Sequence, residues 1–304
     1  MTDMEQNRER KLQQVLYWAA TTDTVRVVLL TSSLVNPYAP VDRFSDLDIE
    51  LVVDDLPLFL AEPTWIENFG GIIAMVVEGE EVFDGKHAMR MVLYEDYTKI
   101  DFKIYGREEF RKAVLAEVLE EDWDIGYKIM MDKDNLTAGM KTPEYKPAFI
   151  QKPTAEAYQQ LMNDFWWDMT YVAKCLWRDN LFYAKFMSED MMRSQYLRPM
   201  IEWYIGMQHN WKVSTNKKGR LFKRYLSPEL WARIEATFSG SAPEDNWRAL
   251  QAYTEVGREL GQALAAGLGY TYPEKLDGQI CAYLDYVKNL DRDDATEQPA
   301  ILRN

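Results

Sequence analysis

The residues with the most chemical promise in this chain are Asp46 and Asp48, which flank Leu47 at the start of an apolar run extending to Val53. Such a run, bounded by turn residues, reads as a buried strand. Side chains on a strand alternate between faces, so Asp46 and Asp48 point the same way and Leu47 points opposite. Two neighbouring carboxylates repel each other unless a cation sits between them. Hard oxygen donors at this spacing suit Mg²⁺. A third carboxylate, Asp101, lies in Lys99-Ile-Asp-Phe-Lys-Ile-Tyr105, where Ile100, Phe102 and Ile104 alternate with polar residues. That pattern buries the Ile/Phe face and presents Asp101 on the other. On its own, Asp101 is a solvated strand residue.

Two further clusters lie downstream. Asp164, Trp167, Tyr171, Lys174 and Arg178 are spaced three and four residues apart and share one face of an expected helix. As structure, this is a half-buried face on which the aromatics pack and the charges pair or snorkel. As a site, it is a wall: aromatic faces stack on a ring or attract a cationic group, and the charges read phosphates or a cationic sugar. The basic stretch 214–226, with Lys217, Lys218 and Arg220, is either a solvated helix edge or a place for a triphosphate.

Regular elements must position these groups. Helical periodicity predicts a helix over 3–20, followed by strands at 25–31 and 47–53, a short helix at 63–69 and antiparallel strands at 72–77, 88–94 and 99–105. A helix at 107–119 and a strand at 127–131 complete the first part. Prolines at 143, 147 and 153 and the loss of periodicity mark 136–153 as a linker. Beyond it the chain is helix-forming. The expected division is a domain over 1–135, a helical domain over 154–288 that reads as a bundle of about five helices, and a polar tail over 289–304.

Composition narrows the possibilities. Hydrophobic content of 47% supports a full core, and a net charge of −14 argues against nucleic acid as the main partner while suiting a polycationic small molecule. No apolar run of membrane-spanning length occurs, which argues against a membrane partner. The first ten residues lack a signal-peptide layout, and the two cysteines, Cys175 and Cys281, make no disulfide framework. Together these features predict a cytoplasmic protein; the sequence leaves monomer and homodimer both open. There is no zinc spacing, nucleophile elbow, Walker motif or Gly-x-Gly-x-x-Gly, which leaves the carboxylates as the chemical candidates.

The run Val35-Asn36-Pro37, then Phe44-Ser45-Asp46-Leu47-Asp48-Ile49, resembles the nucleotidyltransferase superfamily. Within it the chain is similar to the aminoglycoside (streptomycin) 6-adenylyltransferase family, whose pattern is Gly-Ser-Arg-x-Asn, a spacer with Pro, then Phe-x-Asp-x-Asp-Ile. The likeness continues at Lys99-Ile100-Asp101-Phe102, where the family has Arg-Ile-Asp-Leu, at Asp132-Lys133-Asp134, and at Asp164-Phe165-Trp166-Trp167 with Tyr171-Val172-Ala173-Lys174. It covers nearly the whole chain. Two positions depart: Ser32 stands for Gly, and Leu34 for Arg.

The resemblance implies an α+β fold: an N-terminal nucleotidyltransferase domain with a mixed β-sheet flanked by helices, followed by a C-terminal all-α helical bundle. It implies AMP transfer from ATP to a hydroxyl of an aminoglycoside such as streptomycin, with release of pyrophosphate and antibiotic resistance as the outcome. Asp46, Asp48 and Asp101 would be the catalytic residues and the ligands of one or two Mg²⁺. Ser32, Ser33, Lys133, Lys174, Lys217, Lys218 and Arg220 would bind nucleotide; Asp164, Trp167, Tyr171 and Arg178 would bind the acceptor. The alternatives are another small-molecule or protein acceptor on the same fold, or a non-catalytic nucleotide-binding homologue, since the turn Ser32-Ser33-Leu34 is altered.

Overall fold

The structure, a computed structural model, describes residues 3–291, so most of the tail expected over 289–304 lies outside the described residues. The chain divides into two compact units between Ala148 and Phe149. In the first, helix α1 (Asp3–Thr21) leads into β1 (Val25–Thr31); β2 (Leu47–Val53) follows, then α2 (Leu56–Ala61), β3 (Ile72–Glu78), β4 (Ala88–Tyr94), β5 (Lys99–Gly106), α3 (Arg107–Leu115), α4 (Glu121–Asp124) and β6 (Tyr127–Asp132). The strands form one six-stranded sheet in the order β3-β4-β5-β2-β1-β6. β2 and β5 are parallel, and every other neighbouring pair is antiparallel. The sheet is therefore mixed, as the sequence predicts.

The strands of the central pair are covered on both faces. Ile100, Phe102 and Ile104 pack with Leu47, Ile49, Leu51, Trp65 and Phe69 on one side. On the other, Val52 and Tyr105 pack against Phe110, Val114 and Trp123 from α3 and α4. The face of β5 that carries Asp101 is thus closed toward its C-terminal end, where Lys103 and Tyr105 are buried. Only the N-terminal ends of β2 and β5 escape the helical cover, and Asp48 and Asp101 sit there.

Three local expectations change. The helix expected over 107–119 ends at Leu115, because Ala116 turns extended. The carbonyls of Ala116 and Glu117 bond instead to the Lys141 ammonium. Helix α2 was not anticipated, although Asp55 caps it by accepting from Leu58 N–H and Pro57 lies in its first turn. Within 136–148, expected as linker, Leu136 and Met140 join the cluster around Trp123.

The second unit is all helical: α5 (Ala155–Trp177), α6 (Leu181–Lys185), a π-helical stretch Phe186–Leu197, α7 (Arg198–Gln208), α8 (Phe222–Tyr225), α9 (Pro228–Glu235), α10 (Pro243–Leu268) and α11 (Glu274–Lys288). Its core runs along α5 through Met162, Phe165, Trp166, Met169, Ala173 and Leu176 and meets α10 at Tyr253, Val256 and Leu260. Among the described residues, no helix is long and apolar enough to cross a membrane.

Candidate active site

Strand pairing builds the site. Asp48 and Asp101 are register partners on the parallel strands β2 and β5, so their backbones are about 4.8 Å apart and both side chains leave the same face. The pair is partly buried. Burial first, then the charge on Asp101 and, less strongly, that on Asp46, push the Asp48 carboxyl up to about 6. A hydrogen bond from the Ser32 side chain and the charge of Lys99 act against that rise.

Lys99, at the first position of β5, has its ammonium 2.9 Å from Asp46 Oδ2 and 2.7 Å from Asp101 Oδ2. Burial alone would lower the Lys99 pKa; the hydrogen bonds to Asp101 and Asp46 outweigh it and raise it. The second oxygen of Asp101, Oδ1, is buried and has no hydrogen-bond partner. An unpartnered buried carboxylate oxygen calls for a cation or a proton donor that the protein does not itself supply.

The turn after β1 closes the site from the other side. Ser32 opens a 3₁₀ helix, Ser32–Leu34, and holds a positive φ of 61°. That conformation suits glycine, the residue the family pattern has here, and an L side chain adopts it at a cost of about 1 kcal/mol. In return, the Ser32 side chain reaches Asp48. Thr31 Oγ1 also donates a long hydrogen bond, 3.4 Å, to the Asp48 carbonyl. Leu34 packs against the apolar cluster under the sheet, so its side chain serves the core.

These residues fit a magnesium ion. The donors are hard carboxylate oxygens, one of them unpartnered, and Mg²⁺ is commonly held by one or two carboxylates together with substrate phosphates. Among the described residues, no three acidic, His or Cys groups are gathered as a ready ligand set. Asp46 is turned to Lys99.

One expected residue does not belong here. Lys133 follows β6, and its N–H bonds to the Arg26 carbonyl, at the opposite end of β1 from Ser32. Five strand residues separate those ends, roughly 20 Å. Its ammonium bonds to the carbonyls of Ala19 and Thr22, 2.8 and 2.9 Å away. Lys133 therefore caps the C-terminal end of α1, where helix carbonyls lack partners and carry partial negative charge. The neighbouring Asp132 bonds to Thr137 and the backbone after it, and Asp134 pairs with Arg26 and Arg107. The whole cluster is a structural turn.

In the helical unit, Asp164, Trp167, Tyr171, Lys174 and Arg178 all lie off the buried face of α5, with Trp167 59% exposed. Phe165 and Trp166 fill the core instead. The Lys174 ammonium lies 4.1 Å from the centre of the Tyr171 ring. Asp164 accepts two hydrogen bonds from the Gln160 side chain. Sequence reasoning missed Asp168, which accepts from Tyr196 Oη at 2.7 Å. Tyr196 comes from the π-helical stretch, whose period no apolar pattern announces. Lys217, Lys218 and Arg220 are exposed in and beside a short 3₁₀ turn. Sequence reasoning also passed over Lys99; the signal available was its position two residues before Asp101 on one strand face.

A carboxylate pair at the open end of a mixed sheet, facing a serine turn, is the candidate site of a nucleotidyltransferase. The profile of the streptomycin adenylyltransferase family matches residues 4–287, and the chain belongs to that family. Its relatives include the aminoglycoside 6-adenylyltransferase of Campylobacter jejuni, 31% identical over 88% of this chain and 92% of that protein. The aminoglycoside 6-adenylyltransferase of Bacillus subtilis (strain 168) is also 31% identical, over 86% of this chain and 92% of that protein. The crystal structure of an aminoglycoside 6-adenyltransferase from Bacillus subtilis aligns with 95% of this chain and all of that one, at 25% identity and a TM-score of 0.46. The chain is thus an enzyme, a nucleotidyltransferase.

Proposed function

We propose that the protein transfers AMP from ATP to a hydroxyl of a streptomycin-like aminoglycoside and releases pyrophosphate. The observation that carries this reading is the Asp48–Asp101 pair with one carboxylate oxygen unpartnered. Asp48 and Asp101, with Asp46 beside them, would hold Mg²⁺. When bound, the ion neutralises the triphosphate and aligns the α-phosphorus for in-line attack. Ser33, next in the turn, has a hydroxyl and an amide to offer the phosphates, and the Ser32 hydrogen bond favours the ionised form of Asp48 against burial. Asp101 accepts the proton of the attacking hydroxyl, a role a carboxylate fills when it lies within hydrogen-bond reach.

The acceptor is a polycation. The solvent side of α5 offers it carboxylates at Asp164 and Asp168 and aromatic faces at Trp167 and Tyr171, the groups that bind guanidinium and ammonium. The exposed cations Lys174, Lys217, Lys218, Arg220 and Arg178 are the candidates for contacts to the anionic co-substrate or to acceptor hydroxyls. The acidic balance of the chain attracts such an acceptor.

Incubation with ATP, Mg²⁺ and streptomycin, with pyrophosphate as the readout, tests the proposal. Release that depends on streptomycin is expected. Release only with other acceptors would replace the substrate, and ATP binding without turnover across a broad acceptor panel would overturn the catalytic reading.

A further inference from the structure

Among the described residues, Lys99 is the cation placed among the site's carboxylates. Its ammonium bridges Asp46 Oδ2 and Asp101 Oδ2 at 2.9 and 2.7 Å, while Asp48 keeps a raised pKa and Asp101 Oδ1 keeps no partner. The anchor is short and fixed: Lys99 and Asp101 are two residues apart on β5, so both side chains leave the same face of the strand. The ammonium is only partly covered, with its side chain 38% exposed, and it has a four-carbon stem on which to swing.

An ammonium on Asp46 Oδ2 and Asp101 Oδ2 and a divalent cation held by Asp48 and Asp101 would share the Asp101 carboxylate and lie within a few ångströms of each other. Both need close oxygen contacts, and like charges at that range repel strongly. Resting on the metal-dependent reading above, we propose that Lys99 is a tethered cation that occupies the carboxylate cleft in the metal-free enzyme and must leave Asp46 and Asp101 for a divalent ion to bind. Lys99 holds the carboxylates together when nothing else does. Its release needs another anionic partner, and the triphosphate of the incoming nucleotide is of that class. Metal and nucleotide then favour each other's binding through a side chain that shifts from carboxylate to phosphate.

The test is the affinity of the nucleotide-free protein for Mn²⁺, read by electron paramagnetic resonance of the free ion. Lys99→Met is expected to tighten Mn²⁺ binding about tenfold, with Lys99→Gln giving the same direction and Lys99→Arg staying close to the wild type. The gain should persist at about 0.5 M KCl, because direct competition is not screened as a distant field is. Tightening of less than about twofold, or a gain that disappears in high salt, overturns the proposal. Asp48→Asn separates this outcome from failure of the metal reading. If the wild type binds Mn²⁺ and Asp48→Asn does not, the metal site stands whatever Lys99 does. If neither the wild type nor Lys99→Met binds Mn²⁺, both readings fall.

Discussion

Asp48 and Asp101 face each other across the parallel β2–β5 pair, one register step beyond Leu47 and Ile100. Their proximity is set by backbone hydrogen bonding, so either can be replaced without moving the other. Asp101→Asn should lower turnover at least about a hundredfold, the usual scale for losing a general base or metal ligand, with the melting temperature retained. Turnover close to wild type would sink the two-carboxylate mechanism.

Asp48 sets a pH dependence with a definite sign. Its carboxyl stands at about 6 in the folded chain against an ordinary 3.8. Between those values the unfolded chain gives up its proton while the folded chain keeps it. Stability therefore falls as pH rises through that window, and the full loss is present above it. Asp48→Asn should accordingly melt higher than the wild type at about pH 8, with the difference shrinking toward pH 4 in calorimetric scans. Mn²⁺ binding to the free protein should strengthen with rising pH and level off above about 6, as the ion must displace a proton below that point.

Ser32→Gly sets two effects against each other. Glycine relieves the positive φ, worth about 1 kcal/mol, but removes the hydrogen bond that favours the ionised form of Asp48. Stability should change by no more than about 1 kcal/mol, while the acid limb of the pH–activity profile moves to higher pH. An unmoved limb would show that Ser32 does not tune Asp48.

Lys133→Met tests the reassignment of that residue. Losing two charged hydrogen bonds to the end of α1 should cost about 1–2 kcal/mol by urea unfolding, with KM for ATP unchanged. A raised KM at unchanged stability would return Lys133 to the nucleotide site.

Trp167→Ala probes the wall on α5. Because Trp167 lies on the solvent side, stability should hold within about 0.5 kcal/mol. The KM for streptomycin should rise about tenfold, the loss of one stacking or cation–π contact, and the KM for ATP should not. Equal KM values for streptomycin in the two proteins would remove the ring from the acceptor site.

Much of the fold was legible because its signals are local. The runs at Val25–Thr31 and Leu47–Val53 and the alternation along Lys99–Gly106 each state a strand without reference to the rest of the chain. The clustering of Asp164, Trp167, Tyr171, Lys174 and Arg178 on one side of α5 follows from helical period alone, as does the burial of Phe165 and Trp166 opposite. Asp-x-Asp named the chemistry through its carboxylates, although Asp46 lies one residue before β2 and is turned to Lys99.

What the sequence could not state was which distant residues meet. Nothing local pairs β2 with β5 in parallel, since that pairing is decided by which hydrogen-bonding edges and apolar faces close one core. The same holds for Lys133, which reads as a phosphate-binding cation until α1 is seen to end beneath it. It holds again for Lys99, which meets not only Asp101 on its own strand but also Asp46, far away in sequence and just before β2. By itself the sequence determined the strands, the long helices, the carboxylates and the family. Only the tertiary structure decided which charges neutralise one another, because electrostatic energy depends on distance through space and not along the chain.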